Sequence, residues 1–324
     1  MLYPFTFHPV LKERVWGGRK LGQLYHKELP AQNPVGESWE ITDRPEGVSV
    51  IANGPLAGKD LRWLMEHHAE ELLGEAPKAN GRFPWLVKIL DARQVLSLQV
   101  HPPAGIAREL GGEPKTEMWF VTEADEGAEI LAGLKPGVER EEFRRKAEDG
   151  SVAECFHRLP VRMGDVMFLP SGRVHALGAG LVIFEIQQNS DTTYRVFDWN
   201  RRGLDGRPRE LHLEQSMRCI DFGDIEPGLV SSQVTMAGPI GNRALVRHHL
   251  FHIDEWTASE ATSLPARKEG ALQVFGVVAG GLTVAAANEQ VYLAPGQFCL
   301  LPASLERVSL RTAPSSRFLS VLPG

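Results

Sequence analysis

The chain has few cysteines, no long apolar run and no cluster of basic residues, and each lack removes a class of protein. Three cysteines in 324 residues, Cys155, Cys219 and Cys299, are odd in number and far apart. That argues against a disulfide framework and for a reducing compartment. No stretch approaches the roughly 18 apolar residues that a membrane-crossing helix needs. The start, Met-Leu-Tyr-Pro-Phe-Thr-Phe-His, lacks the basic and apolar regions of a signal peptide. The expected location is the cytoplasm, with no membrane partner. A net charge of -6, with lysines and arginines not gathered in runs, leaves no electrostatic footprint for nucleic acid. What remains is an ordinary globular composition, 43% hydrophobic and 23% charged, in a chain long enough for one large or two ordinary domains.

Short apolar segments separated by Gly, Pro, Asn and Asp dominate, which predicts a mainly β protein with a few short helices. Strands are expected at residues 3–7, 37–42 and 48–52. Trp16-Gly17-Gly18 between them reads as a flexible turn carrying one large aromatic, either core or site-lining. Leu61, Leu64, Met65, Leu72 and Leu73 recur near helical spacing and predict a helix over 60–73, capped by Asp60 and stopped by Gly74. A second, charge-rich helix is expected from Glu139 to Glu148, closing at Gly150. His67 and His68 have no partner at i+4 and read as solvated. In His248-His249-Leu250-Phe251-His252 no Glu or Cys accompanies the histidines, which reads as an exposed strand.

The stretch that organises the rest is Gly164-Asp-Val-Met-Phe-Leu-Pro170-Ser-Gly172-Arg-Val-His175. An apolar run ends at a Pro, turns on a Gly and delivers one His at the start of a second strand. Upstream, Ser97, Gln99 and His101 share one face of a period-two segment, and Lys115 and Glu117 share another. Two His and one Glu carried on strands form a metal set with room for a further ligand. The pattern Q-x-H, then E, then G-x5-P-x-G-x2-H resembles the two metal motifs of cupin β-barrels. Further on, Gly296 to Arg307 keeps G-x5-P but has Ser304 for the turn Gly and Arg307 for the His. The expectation is two cupin-like β-barrels (jelly rolls): residues 1–235 binding metal, with helical insertions, and residues 236–324 degenerate and metal-free. Ala271 to Ala285 is expected to be the first strand pair of the second barrel, turning at Gly280-Gly281.

Five segments together resemble a known family, the type I mannose-6-phosphate isomerases in their short bacterial form. They are Gly36-Glu-Ser-Trp-Glu-Ile, Leu96-Ser-Leu-Gln-Val-His-Pro, Lys115-Thr-Glu-Met-Trp, Pro170-Ser-Gly-Arg-Val-His-Ala-Leu and Thr192-Thr-Tyr-Arg-Val-Phe-Asp-Trp. The resemblance implies that Gln99, His101, Glu117 and His175 are the ligands of one zinc ion per chain. It implies a substrate pocket lined by Lys88, Ser97 and Lys115, with Trp16 as a further candidate, and active-site roles for Glu185 and Arg195. Longer family members have a Tyr where this chain has Leu177, and they insert a larger helical domain that is absent here.

The residues themselves support a sugar-phosphate substrate. One carboxylate against a divalent ion leaves a net positive site suited to sugar oxygens, and Gln99 adds no charge. A mid-strand Arg such as Arg195 needs an anion, either a buried carboxylate or a substrate. Lys88, Lys115, Arg195 and Ser97 supply more cation than a small neutral substrate needs and suit a phosphate dianion, with the lysines and Ser97 as its expected anchors. Aldose–ketose isomerisation through an enediolate needs a base, an electrophile and a grip on the far end of the sugar. Arg195 is the candidate electrophile; Glu185, Lys115 and a metal-bound water are the candidate bases. An isomerase of another aldose, an iron cupin oxygenase and a non-catalytic sugar-phosphate sensor are the competing readings, and either a monomer or a homodimer is compatible with the sequence.

Overall fold

Side-chain alternation along three central strands accounts for the architecture. The structure, a computed structural model, describes residues 1–265 and 270–324. In strand Trp85–Ala92, buried along its whole length, Trp85, Val87 and Ile89 enter one core while Leu90 and Ala92 enter another. Strands Glu117–Ala124 and Leu181–Gln188 divide the same way. Met118, Phe120, Val182, Phe184 and Ile186 go to the first core, and Trp119, Val121, Leu181 and Ile183 to the second. A sheet that is apolar on both faces has to be covered on both.

That sheet has six strands in the order Val166–Leu169, Glu117–Ala124, Leu181–Gln188, Trp85–Ala92, Val10–Gly18 and Val35–Ile41. On one side lies a five-stranded sheet, ordered Phe156–Pro160, Glu129–Leu134, His175–Leu177, Leu98–Val100 and Tyr194–Phe197. Its Ile130, Ala132 and Leu177 complete the second core. Helices Arg140–Asp149 and Leu213–Cys219 cover the outer face of this sheet through Phe143 and Met217. On the other side lies a sheet built from the C-terminal part, including Phe251–Ala258, Gln273–Ala279, Phe298–Leu301 and Ser316–Leu322. Phe184 meets Phe298 there with ring centroids 4.9 Å apart. A three-stranded sheet, Glu289–Leu293, Leu282–Ala286 and Ser309–Thr312, closes the stack over Phe275, Val277, Leu293 and Leu301. Among the described residues the chain is mainly β with six short α-helices, and no sheet closes on itself. None of the described helices is long and apolar enough to cross a membrane. All three cysteines are free and buried.

Several local expectations change. Trp16-Gly17-Gly18 is not a turn but the end of strand Val10–Gly18. A Cβ on Gly17 would lie 2.4 Å from the Gly36 nitrogen, so the glycines serve a close strand approach rather than flexibility. Of residues 3–7 only Phe7 enters a strand, Phe7–His8, and Phe5 makes a single bridge to Leu300. Residues 48–52 form two fragments, Gly47–Val48 and Val50–Ile51. The 60–73 helix is two, Leu61–His67 and Ala69–Leu73, broken at His68. Its Asp60 cap stands, accepting from the Trp63 N–H at 2.7 Å. Helix Arg140–Asp149 ends on Gly150 at φ 86°, as a left-handed C-cap requires. Strands Gln273–Ala279 and Leu282–Ala286 do not pair; Gly280-Gly281 carries the chain from one sheet to the other. The histidines at 248, 249 and 252 lie around a hairpin tip, because His249 and Leu250 turn between strands Ile240–His248 and Phe251–Ala258.

Candidate active site

Inward-facing positions of the first two sheets carry the buried Glu37, Lys88, Glu117, His175 and Glu185. His175 stands opposite Gln99 in register, and so does Arg195 from the other side. Glu117 opens its strand opposite Leu169 and Gln187. The turn at Gly172, φ 93°, sends its N–H to the His101 carbonyl at 2.9 Å, tying the two histidine segments together.

His101, Glu117 and His175 converge with all ligand atoms within 4.8 Å of one another. Each is at most 1% exposed. His101 Nε2 is 3.5 Å from Glu117 Oε2, and His175 Nε2 is 3.3 Å from Glu117 Oε1. A tetrahedral ion with bonds near 2.1 Å spaces its donors about 3.4 Å apart. Both Nδ1 atoms lie against backbone carbonyls, Thr192 O at 2.8 Å and Arg173 O at 3.0 Å. A carbonyl only accepts, so each Nδ1 carries a hydrogen, and each Nε2 is the ring atom turned toward Glu117. Burial, and then the Lys115 ammonium, push His101 down to about 3. Burial alone would raise Glu117, but Lys115 and the two imidazoles outweigh it and hold the carboxyl well below its usual range. His101 Nε2 and Glu117 Oε1 are buried without a hydrogen-bond partner. Two imidazole Nε2 atoms and a carboxylate with orphaned donor atoms aimed at one point fit a divalent cation. Gln99 adjoins the group: Ser97 Oγ donates to its Oε1 at 3.2 Å, and its amide nitrogen lies 3.2 Å from His175 Nε2.

Beside this cluster opens a cleft of about 460 Å³, lined by Trp16, Lys88, Ser97, Gln99, Lys115, Glu185 and Arg195 among others. Every residue singled out from the sequence is therefore in the metal cluster or on the cleft wall. Trp16 is both core and lining. Lys115 Nζ is 2.7 Å from Glu117 Oε2 and 4.0 Å from Glu185 Oε1. Lys88 Nζ has Asp191 at 3.3 Å, Glu185 at 3.4 Å and Glu37 at 3.8 Å. Its burial would lower its pKa, but these carboxylates, Asp191 first, raise it instead. Burial and then Glu117 push Glu185 up, and Trp119 Nε1 donates to Glu185 Oε2 at 2.9 Å.

Sequence reasoning missed Glu37, Asp191, Arg14, Arg209 and Trp119, all on the cleft wall. Glu37 had a readable signal: a carboxylate in the middle of a strand whose ends are Val35 and Ile41, the same anomaly that marked Arg195. Burial would raise Glu37, yet Arg14, its Nε at 2.6 Å, and Lys88 bring it down to about 2. Arg209 has no such signal, because it lies in an irregular polar segment.

The catalytic domain of type I phosphomannose isomerases matches residues 5–126 of the chain. A mannose-6-phosphate isomerase of Streptococcus mutans is 35% identical over 307 residues, 94% of this chain and 94% of its own length. A crystal structure of the Bacillus subtilis mannose 6-phosphate isomerase superposes with a TM-score of 0.89 at 30% identity, covering 99% of each chain. A mannose 6-phosphate isomerase crystallised with zinc and yttrium shares the fold, with a TM-score of 0.73 at 18% identity over 99% of each chain.

Proposed function

The chain belongs to the type I phosphomannose isomerases, and on that premise we propose that it interconverts mannose 6-phosphate and fructose 6-phosphate with one zinc ion per chain. His101, Glu117 and His175 hold the ion, with Gln99 as the fourth ligand. A bound divalent ion polarises sugar carbonyl and hydroxyl oxygens and offsets negative charge that develops on them. The observation that carries the reading is the buried His–Glu–His cluster with its orphaned donor atoms, set against a cleft rich in fixed cations.

In the isomerisation the C2 proton of the aldose leaves as the enediolate forms and returns to C1, while the hydroxyl hydrogen passes from O2 to O1. Glu185 is the favoured base. Its Oε2 is fixed by Trp119, its Oε1 has no hydrogen-bond partner, and its raised pKa makes it the more effective proton acceptor near neutrality. Lys115 is the second candidate; its ammonium is bound to Glu117. Arg195 offsets the enediolate charge, and Lys88, Ser97, Lys115 and Trp16 line the seat of the sugar. By their content of site residues, we divide the chain into a catalytic part, 1–235, and a metal-free C-terminal part, 236–324, which share one core.

The test is turnover of mannose 6-phosphate to fructose 6-phosphate before and after chelation, with zinc then restored. Activity is expected to vanish and return. Turnover that survives complete removal of metal would refute the metal assignment. No turnover in fully metallated protein would refute the reaction.

A further inference from the structure

The charge balance at the far end of the cleft differs from that around the lysines. Lys88 faces three carboxylates, and Lys115 is closed against Glu117, so both ammonium charges are already matched. Arg195 is not: among the described residues no carboxylate lies within ion-pair distance of it. It donates through Nη1 to the Glu210 carbonyl at 3.3 Å, and its Nε is buried without a partner. Arg209 reaches the same cleft from the segment that follows, 198–209. Among the described residues its hydrogen bonds all leave from Nη1, to Asp198 Oδ1 and Oδ2 at 3.2 Å each. The same Asp198, 4% exposed, also takes Arg201 Nη2 at 2.5 Å. Arg201 and Arg209 thus share one carboxylate, and Arg195 stands close by with no ion pair of its own. The nearby Asp205 is exposed and accepts from its own loop, the Arg207 N–H at 2.9 Å. Burial, and then Arg209, lower Arg195; burial lowers Arg209, with Arg201 adding to it against Asp198. Cations that repel each other in a half-buried wall require an anion.

We infer that Arg209 seats the dianionic phosphate of the substrate, making segment 198–209 the element that selects phosphorylated over neutral sugar. The inference rests on the isomerase reading above. A guanidinium fork with unspent N–H groups matches the oxygens of a dianion in charge and in geometry, which a lysine surrounded by carboxylates does not. The segment is held for this task by its own bonds: Gly203 N–H to Arg207 O at 2.7 Å, Gly206 N–H to Gly203 O at 2.9 Å, and His212 N–H to Arg195 O at 2.7 Å.

The test combines calorimetric titration of the full chain with inorganic phosphate, with and without chelation, and kinetics on mannose 6-phosphate and unphosphorylated mannose. Phosphate is expected to bind the wild type whether or not metal is present. Arg209→Gln is expected to weaken phosphate binding and to lower the kcat/KM ratio of phosphorylated to neutral sugar by roughly 10- to 100-fold, the worth of a charged hydrogen bond; Arg209→Lys should recover part of it. Asp198→Asn breaks the same ion pair from the other end and should leave phosphate binding unchanged or tighter. Equal losses in Arg209→Gln and Asp198→Asn would show that Arg209 only fastens the loop, and an unmoved specificity ratio in Arg209→Gln would equally overturn the inference. Because the phosphate titration needs no turnover, a wild type that binds phosphate without isomerising would sink the isomerase reading alone.

Discussion

Replacing Phe298 by alanine tests whether the sheet stack behaves as one body. Phe298 is 6% exposed and lies on the C-terminal side of the shared core, against Phe184 on the sheet that carries Glu117 and Glu185. Its strand partner is Gly276, and a Cβ there would lie 2.3 Å from the Phe298 ring. The ring therefore fills the room that the glycine leaves, and nothing on Gly276 can collapse into the hole. Phe→Ala in a core costs about 3–5 kcal/mol, and a site that cannot close belongs at the upper end. For a chain of this size each kcal/mol lowers the melting temperature by about 2 °C, so a fall of roughly 6–10 °C is expected. The assay follows ellipticity on heating and, in parallel, the isomerase activity that remains. One transition should move down, and activity should be lost with it, although Phe298 does not line the cleft. A separate low-temperature transition, with loss of activity unshifted, would refute the coupling and make residue 236 a true folding boundary.

Two further outcomes follow from the cleft. Trp119→Phe keeps an aromatic ring beside His175 but removes the N–H that fixes Glu185 Oε2; it should lower kcat about tenfold with metal content and melting temperature nearly unchanged, and an unchanged kcat would exclude Glu185 as the oriented base. Glu37 is held at about 2 in the folded chain, below its ordinary value of 4.5, so its contribution to stability is present above pH 4.5 and is lost as the pH falls toward 2. Denaturant midpoints between pH 6 and pH 3 should fall more steeply in the wild type than in Glu37→Gln, and parallel curves would refute the assignment.

The cluster of His101, Glu117 and His175 was legible because its signal is local. Each of its residues sits on or beside a short strand where period-two alternation says which way a side chain points, and the turn Pro170-Ser-Gly172 announces its own geometry. Asp60, Gly74 and Gly150 marked helix ends for the same reason, since caps are set by the nearest few backbone groups. Trp16-Gly17-Gly18 misled because paired glycines look alike in a turn and at a close strand crossing, and only Gly36 on the partner strand distinguishes them. Gly280-Gly281 misled likewise: a turn was present, but the sequence does not say which sheet each flanking strand joins.

Residue type and short-range spacing by themselves determined the β character of this protein, turns such as Pro170-Ser-Gly172 and the grouping of His101, Glu117 and His175, because backbone sterics and side-chain alternation act over a few residues. The tertiary structure decided which charges share a wall. Glu37, Lys88, Glu185 and Asp191 come from separated segments, and Arg209 is set against Asp198 by a loop with no periodic signal. Coulomb forces and desolvation depend on distance through space, and no local pattern in the chain carries that distance.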